Sequence, residues 1–395
     1  MGGRVRSFDP GQIDLGTLRD VFPVEEIDKI LREADRAGKR KRQLPGNFTC
    51  YLVIALGLWM TDGCGEVLRR LLEGARRTCH DIRIASGSAI TQARQRVGGE
   101  VMEKIYRHLV RPIALKTTRS AWYRRWRLVT LDGTTMDVAD SDENVTEFGR
   151  PSNQHGGGAY PQLRCVALVE NGTHSVFAAE MGPCTTAEGT LADKVLQQLE
   201  STMLCLADRL FYSYKRWKTL QECGAALLWR MRSQIALPRI KTLPDGSYLS
   251  KVYPSAEHRR RDKEGITVRV IEYWVDGFRQ LYRIMTNVLD PAQGPAEQFA
   301  RLYGRRWTIE TAFGEIKTKL RSSRIVLRSK KPELVRQDFF GLLLAHFGVR
   351  SLMHRAALQE DIPADELSFV HSLRVIERKL PLLVSFSPSP DPTPA

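Results

Sequence analysis

The stretch "RLVTLDG" (Arg127–Gly133) marks the point at which the sequence pattern changes from helical to strand-like. Its first five residues are typical of a buried strand, and Asp132 follows them directly. Further on, "QLRCVALVE" and "HSVFAAEMG" are strand-like runs joined by Asn171-Gly172, a strong hairpin signal. "MLCLA" (203–207) and "AALLWRM" add two strands, with helical segments between them. This order predicts an α/β fold built on one mixed sheet.

The segments before, within and after this strand-rich region have other sequence patterns. Residues 1–120 are predicted to form an α-helical N-terminal domain, in which "SAITQARQRVGGEVMEKIYRHLV" has Ser88 as a candidate N-cap. The polar segment "SDENVTEFGRPSNQHGGGAYP" is predicted to be a loop. Over about 232–288, Asp-Gly turns among β-rich runs predict a separate β insertion. C-terminal helices follow, and the Pro/Ser-rich end at 382–395 is predicted to be disordered.

The charge balance indicates a polyanionic partner. The 395-residue chain has a formal net charge of +15 and a pI near 9.6, although its 42% hydrophobic content is ordinary. Nucleic acid is the leading candidate, and a merely solvated basic surface is the alternative.

The cysteines and apolar runs indicate where the protein works. The seven cysteines show no CxxC pair and no zinc-like spacing, and Cys165 and Cys205 are read as small buried residues in a reducing compartment. "YLVIALGLWM" is too short to span a bilayer, and "MGGRVRSFDP" is no signal peptide. We therefore expect a soluble, cytoplasmic protein with no membrane partner.

Three carboxylates are candidates for one metal site. Asp132 and Asp208 each follow an apolar strand run, at the strand ends where ligands of open α/β sheets collect. Glu310 lies in "YGRRWTIETAFGEIK" (Tyr303–Lys317). Converging carboxylates repel one another, and hard cations such as magnesium relieve this repulsion. Two such ions about 3.5–4 Å apart stabilise the attacking and leaving oxygens of an in-line phosphoryl displacement.

The segment around Glu310 predicts a polar row along one helix. At about 100° per residue, four of its side chains fall within roughly 60° of arc: Tyr303, Arg306, Glu310 and Lys317. The adjoining face is predicted to pack on a core and carries Leu302, Ile309, Phe313, Ile316 and Leu320. Basic side chains beside metal-binding acids suit a phosphate backbone, so the row is interpreted as a metal ligand inside a phosphate clamp.

Each signal also has a simpler explanation. Aspartates after strands often form turns, and three acids of the polar loop compete with Asp132: Asp137, Asp140 and Asp142. A surface helix laced by ion pairs also produces a polar row. The joint pattern is stronger than its parts.

Together these residues resemble a known family pattern. Tyr303, two residues, Arg306, three residues, Glu310, six residues and Lys317 are similar to the YREK pattern of bacterial insertion-sequence transposases, in the DDE family named after insertion sequence four. "LDGT" around Asp132 and "ADRLFYSYKRW" resemble the surroundings of that family's two aspartates. "FGRP", "YPQLR", "ENGTH", "TAEGTLADKVL" and "LRS" follow in the family's order. The similarity extends to about residue 380.

The resemblance implies an RNase H-like mixed sheet with a β-rich insertion, within a catalytic domain at 121–380. It implies that Asp132, Asp208 and Glu310 are catalytic and bind two Mg²⁺ ions per site, with Mn²⁺ as a substitute. The helical region at 1–120 would bind DNA. The candidate DNA contacts are the polar row and the basic stretch after it: Tyr303, Arg306, Lys317, Arg324 and Arg328.

The implied function is a DNA transposase. It would bind the terminal inverted repeats of an insertion sequence, cleave there and transfer the freed strands to target DNA. Its partners would be double-stranded DNA and a second copy of the chain in a synaptic complex, at the nucleoid of a bacterium. Trp274 in the insertion is a candidate for holding a flipped base, although a buried core aromatic is the favoured interpretation.

Two other functions are weighed against this one. Recombination through a covalent DNA bond to Tyr303 needs a set of Arg/His activators, and no His-x-His arrangement is visible in the sequence. An inactivated or repurposed DNA-binding protein without cleavage activity fits the basic charge equally well. The intact triad argues against it, because binding alone has no use for acids beside phosphates.

Overall fold

The structure, a computed structural model, describes residues 13–14, 17–38, 42–76, 84–153, 156–274, 281–320, 326–383 and 385–386. In chain order the helices are α1 (Thr17–Val21), α2 (Val24–Glu33), α3 (Gly46–Leu58), α4 (Cys64–Arg76), α5 (Gly87–Val97), α6 (Gly99–Leu109), α7 (Asp142–Phe148), α8 (Glu188–Val195), α9 (Tyr214–Glu222), α10 (Ala256–Arg260), α11 (Ala296–Tyr303), α12 (Thr308–Gly314), α13 (Pro332–Gln359) and α14 (Phe369–Leu383).

The strands alternate with the later helices and mostly belong to one sheet. They are β1 (Ile13–Asp14), β2 (Trp122–Tyr123), β3 (Trp126–Asp137), β4 (Ser152–Asn153), β5 (Gly156–Gly157), β6 (Gln162–Glu170), β7 (Val176–Pro183), β8 (Met203–Ala207), β9 (Ala226–Arg230), β10 (Lys241–Thr242), β11 (Tyr248–Val252), β12 (Ile266–Trp274), β13 (Leu281–Thr286) and β14 (Ser385–Phe386).

The predicted mixed sheet is confirmed. Among the described residues the main sheet has ten strands in the order β10-β11-β12-β13-β9-β8-β3-β6-β7, with β2 paired to β3. β3 lies parallel to β8 and antiparallel to β6, and β8 lies parallel to β9. The predicted hairpin at Asn171-Gly172 joins β6 to β7.

The sequence pattern predicted a separate β insertion, but the structure joins the insertion to the main sheet. Its last strand, β13, pairs antiparallel with β9, so β10 to β13 extend the sheet sideways. An open edge at β9 would leave a row of backbone N–H and C=O groups without partners, and β13 satisfies them.

Two other local predictions are wrong. The polar segment expected to be a loop contains α7, because Ser141 caps it by accepting a hydrogen bond from a backbone N–H of the first turn. Helix α5 is capped by Ser86, whose backbone is extended and whose Oγ accepts from the N–H of Ala89 at 3.2 Å, so Ser88 lies inside the helix.

The sheet separates two apolar cores. The larger one lies between the sheet and the N- and C-terminal helices, and it includes Cys165, Cys205 and nearly all of α3. Helices α3 and α13 cross closely: a Cβ on Gly57 would lie 2.7 Å from the carbonyl oxygen of Gly341. The smaller core lies on the other face, under α11.

The apolar run "YLVIALGLWM" forms the core helix that was predicted, since α3 is buried along its length. No helix in the described ranges is long and apolar enough to cross a membrane.

Candidate active site

The register of two parallel strands brings the predicted aspartates together. Leu131 of β3 is paired with Ala207 of β8, so Asp132 and Asp208 are the residues that directly follow this pair. Side chains alternate along a strand, and the even-numbered residues before them, such as Leu128 and Leu206, belong to the smaller core. Both carboxylates therefore project on the face that α11 covers.

Asp132 differs from the prediction in one respect. It does not end its strand, because β3 continues to Asp137 through its pairing with β6. The parallel neighbour β8 stops at Ala207, so the end of β8, not the end of β3, opens the space beside Asp132.

The segment that carries Glu310 is not the single regular helix predicted. After α11 it passes through a 3₁₀ turn at Gly304–Trp307, then α12, then a π-helical turn at Glu315–Leu320. A 3₁₀ turn is tighter than an α-helical turn and a π turn is wider, so the angular positions of side chains shift between them. The predicted apolar face is nevertheless confirmed, since all five of its residues are buried.

Arg306 links the carboxylates of the sheet and the helix. Its Nη1 donates to Asp132 Oδ2 at 3.1 Å, and its Nη2 lies 3.7 Å from Glu310 Oε1. The arginine is only 9% exposed. Its guanidinium lies 4.7 Å from the ring centre of Trp307, which is 60% exposed and which sequence reasoning missed. Two members of the predicted polar row, Arg306 and Glu310, thus form an ion-pair network with Asp132.

Tyr303 has a structural contact in this site. Its side chain is buried, and its hydroxyl donates to the carbonyl oxygen of Ala207 at 3.3 Å, directly before Asp208. Burial raises the pKa of Tyr303, and the charge of Asp208 raises it further. A phenolate nucleophile is disfavoured there, so the geometry gives no support to a covalent tyrosine mechanism.

The charges of the three acids influence one another. Burial raises the pKa of Asp132, the N–H of Gly133 and the charge of Arg306 lower it, and the charges of Asp208 and Glu310 raise it again. Within the described part of the chain, no group of three or more His, Cys, Asp or Glu side chains is arranged to hold a metal ion. The acids are neighbours, but in this structure they do not form a ready cage.

The donor set nevertheless suits a hard divalent cation. Asp208 Oδ1 is buried and has no hydrogen-bond partner within the described residues. An unpartnered carboxylate oxygen beside a second carboxylate is costly unless a positive charge satisfies it. Oxygen ligands from two or three carboxylates are what Mg²⁺ and related ions prefer in proteins.

Comparison with known proteins identifies the family. The model of the family described as "Transposase DDE domain" matches residues 126–347, more than half of the chain. A second family model, "Insertion element 4 transposase N-terminal", matches residues 12–107. The chain belongs to the DDE transposase family.

A relative agrees with this assignment, and a solved structure shares the fold. The chain is 29% identical over 394 residues to the transposase InsG for insertion sequence element IS4 of Escherichia coli (strain K12), which covers 97% of this chain and 87% of the relative. Its fold is similar to that of the piggyBac transposase in a synaptic complex with hairpin DNA. The TM-score is 0.51 at 10% identity, over 95% of this chain and 80% of the other.

Membership settles the broad chemistry. This DDE transposase is an enzyme of the nuclease and transferase type, and its mixed sheet with flanking helices is an RNase H-like fold. DNA is its partner, and the family acts with divalent metal ions.

Two further arginines of the transposase, Arg328 and Arg324, were predicted to contact DNA. Arg328 donates to the carbonyl oxygens of Leu56, Met60 and Asp62, at 3.2, 2.9 and 2.6 Å, where it closes the C-terminal end of α3. These bonds occupy its guanidinium within the fold, and its DNA contact stays a prediction. Arg324 lies outside the described residues.

Lys317 and Trp274 were also singled out in the sequence. Lys317 is half-buried in the π turn. Burial raises the pKa of the nearby Cys165 thiol to about 12, and the charge of Lys317 opposes this rise. Trp274 ends β12 and is 65% exposed, so the buried-core interpretation is wrong. The apolar character of tryptophan favoured burial, but only the middle of β12 is buried and Trp274 lies at its exposed end.

Proposed function

We propose that this DDE transposase binds the terminal inverted repeats of an insertion sequence and cleaves and transfers DNA strands there by in-line phosphoryl transfer. We place this activity in the bacterial cytoplasm, where the element's DNA lies. The observation that carries the proposal is the pairing of Leu131 with Ala207, which sets Asp132 beside Asp208 on the face covered by α11. Arg306 connects this pair to Glu310.

In the proposed mechanism, Asp132, Asp208 and Glu310 would hold two Mg²⁺ ions, or Mn²⁺ in their place. Ions bound there would supply positive charge to the attacking and leaving oxygens of a phosphodiester. Asp208 offers a buried oxygen with no competing donor in the described structure. Arg306 orients the Asp132 carboxylate through its hydrogen bond, and its charge opposes the rise in the pKa of Asp132 that burial causes. Tyr303 fixes the end of β8 against the helix.

The DNA end is proposed to lie along the exposed side of the 3₁₀ turn and α12. Trp307 and Glu310 are accessible there, and Arg305 is exposed next to them. Lys317 extends the same segment and is proposed to contact a phosphate. Loss of one phosphate contact should weaken DNA binding and reduce the slope of log K against log salt by about one. Lys317→Ala with an unchanged slope would count against this contact.

A second DNA contact is proposed in the N-terminal helices. Arg36, Arg42 and Arg96 line a cleft of 510 Å³ between α2, α3 and α5. Burial lowers the pKa of Arg96, and the nearby charge of Arg42 lowers it further, so an anion in this cleft would relieve their repulsion. Arg94 on the same helix is buried against Asp338 at 2.7 Å and is structural.

The chain is further proposed to act as a homodimer that joins two element ends and one target. Two ends must be held together for strand transfer, and an assembly of two copies supplies one active site for each. Light scattering with and without end DNA would measure this. A one-to-one complex at saturating DNA would contradict it.

The central experiment measures cleavage of a DNA duplex that carries the inverted repeats flanking the coding sequence. Asp132→Ala, Asp208→Ala and Glu310→Ala should abolish Mg²⁺-dependent cleavage while binding of the end persists. Asp142→Ala is the matched control, since this exposed acid lies in the first turn of α7. Full cleavage by the three triad variants would end the catalytic assignment. Binding without cleavage by the wild type would favour the repurposed DNA-binding protein.

A further inference from the structure

The turn between β6 and β7, residues 171–175, contacts the Glu310-bearing segment on its N-terminal side. Asn171, which is 3% exposed, donates from Nδ2 to the carbonyl oxygen of Arg305 at 2.9 Å. Its Oδ1 accepts from Thr130 Oγ1 at 2.9 Å. Because Thr130 lies on β3 two residues before Asp132, one amide side chain ties the 3₁₀ turn to the strand of the first aspartate.

The same turn reaches the other end of α12 through His174. Arg350 of α13 donates from Nη2 to His174 Nδ1 at 2.6 Å. Its guanidinium also holds Glu315 with two bonds, from Nε to Oε2 at 3.0 Å and from Nη2 to Oε1. Since a guanidinium is always a donor, His174 acts as the acceptor. The 3.5 Å between His174 Nδ1 and Glu315 Oε1 is then a contact without a hydrogen bond.

Glu315 remains a carboxylate although it is buried. Burial alone would raise the pKa of Glu315, but the hydrogen bond with His346 and the charge of Arg350 hold it well below its ordinary value. Burial lowers the pKa of His346, so this imidazole is neutral and donates from Nε2 to Glu315 Oε2 at 2.9 Å. A charged group held by two side chains fixes the first residue of the π turn.

The turn that provides these contacts is itself firmly held. The carboxylate of Glu170 accepts the backbone N–H groups of Ile113 and Ala114 at 3.0 and 2.9 Å, and the hydroxyl of Thr173 at 2.6 Å. His174 has a φ of 59°, a left-handed backbone that non-glycine residues seldom adopt and that surrounding contacts must sustain.

The contacts of Asn171 with Arg305 and of Arg350 with Glu315 hold the two ends of α12, which is only seven residues long. We propose that Asn171, His174, Glu315 and Arg350 are positioning residues that fix the rotation and height of α12, so that Glu310 faces Asp132 and Asp208. Glu310 itself has a half-exposed side chain, and among the described residues it pairs only with Arg306 of its own segment, so these flanking contacts set its position. The proposal rests on the proposed role of Glu310 in the metal-binding triad.

The first test uses hydrogen–deuterium exchange of the backbone amides of residues 304–320 in the full chain, without DNA or metal. His174→Gly keeps the left-handed backbone and removes the acceptor of Arg350. His174→Asn tolerates the same backbone and places a side-chain oxygen where Nδ1 lies. His354→Ala is the matched control, because this buried histidine of α13 bonds to Thr118 instead.

Exchange over 304–320 should be about tenfold faster in His174→Gly, the effect of losing roughly one hydrogen bond, and should return near the wild-type rate in His174→Asn. The His354→Ala variant should match the wild type in this segment. Equal exchange in His174→Gly and His354→Ala would overturn the proposal. Failure of His174→Asn to restore slow exchange would also overturn it, since packing alone would then explain the effect.

The second test addresses the other end of α12. Asn171→Ala is compared with Asn144→Ala, a buried asparagine that bonds to the carbonyl oxygens of Ala139 and Ser329. Only Asn171→Ala should accelerate exchange over 304–320 and slow cleavage of a bound DNA end about tenfold, with unchanged affinity for that end. If the wild type cleaves and neither variant differs from it, the positioning proposal is wrong. If the wild type does not cleave, the proposed function fails, and exchange still decides the positioning.

Discussion

Strands β3 and β8 pair without a bulge from Arg127↔Met203 to Leu131↔Ala207, whereas the segment after Tyr303 changes helix type twice before Leu320. Backbone register positions the two aspartates that follow the paired strand residues. Side-chain contacts with a distant turn and with α13 position the helical segment that carries Glu310. Regular backbone pairing places a residue by local rules, but an irregular helix needs tertiary partners to define its geometry.

The two regions also differ in whether their buried carboxylates have hydrogen-bond partners. Asp208 has a buried oxygen with no partner in the described structure, while Glu315 is bonded to Arg350 and His346. We propose that the first arrangement accepts a metal ion, whereas the second stabilises the fold. Four predictions test this difference.

The largest effect is expected for Glu315→Gln, which leaves Arg350 buried with a weaker partner. Breaking a buried ion pair costs about 3–5 kcal/mol of unfolding free energy. Asp208→Asn should cost less than about 1 kcal/mol, because the amide carries no charge that needs a partner. Urea titration of both variants measures this. Equal losses would show that the two acids have the same structural role.

A smaller effect, on activity, is expected for Arg306→Gln. Hydrogen bonds to charged groups contribute about 1.5–3 kcal/mol, so cleavage of a bound end should slow roughly 10- to 100-fold. Arg301→Gln is the control, since this exposed arginine pairs with Glu297 of its own helix α11 at 2.5 Å. Single-turnover cleavage compares the two, and equal slowing would remove the special role of Arg306.

Stability should decrease as the solution becomes acidic. Burial lowers the pKa of His346 below its ordinary value of 6.5, an effect that the hydrogen bond and charge of Glu315 oppose and the charge of Arg350 reinforces. As the pH falls below about 6.5, His346 takes up a proton in the unfolded chain more readily than in the native one, so acid favours unfolding. The slope for one such group is at most about 1.36 kcal/mol per pH unit. Urea titrations at about pH 7.5 and about pH 5.5 measure it, and equal stability at both would contradict a neutral His346.

The smallest effect is expected for Tyr303→Phe. It removes one hydrogen bond, to the carbonyl oxygen of Ala207, and should cost about 0.5–1.5 kcal/mol of unfolding free energy. Cleavage should persist, because the hydroxyl orients β8 and does not attack DNA. Denaturant titration and a cleavage assay check both parts. A covalent DNA adduct on Tyr303 would contradict the assignment.

Much of the fold could be predicted because it follows from local patterns. Apolar runs of strand length predicted β3, β6, β7, β8 and β9, and the Asn-Gly pair predicted the hairpin. The wrong predictions have long-range causes. The insertion joins the sheet because β13 pairs with the edge of β9, and Trp274 is 65% exposed because no described element covers the end of β12.

The candidate site divides in the same way. The sequence pointed to Asp132, Asp208 and Glu310 because two acids follow apolar runs and the third lies in a patterned helix. It missed Trp307, and it gave no sign that Asn171 and His174 contact the helix, because these residues are more than 130 positions from their partners.

The amino-acid sequence by itself determined which segments become strands and helices, which faces are apolar, and which acidic residues follow the strands. These features depend on side chains a few positions apart. Only the tertiary structure decided that Arg306 lies between the acids, that the helix tightens at Gly304 and widens at Glu315, and that Glu315 is charged in the interior. Each of these depends on groups brought together by folding, whose burial and partners no local pattern encodes.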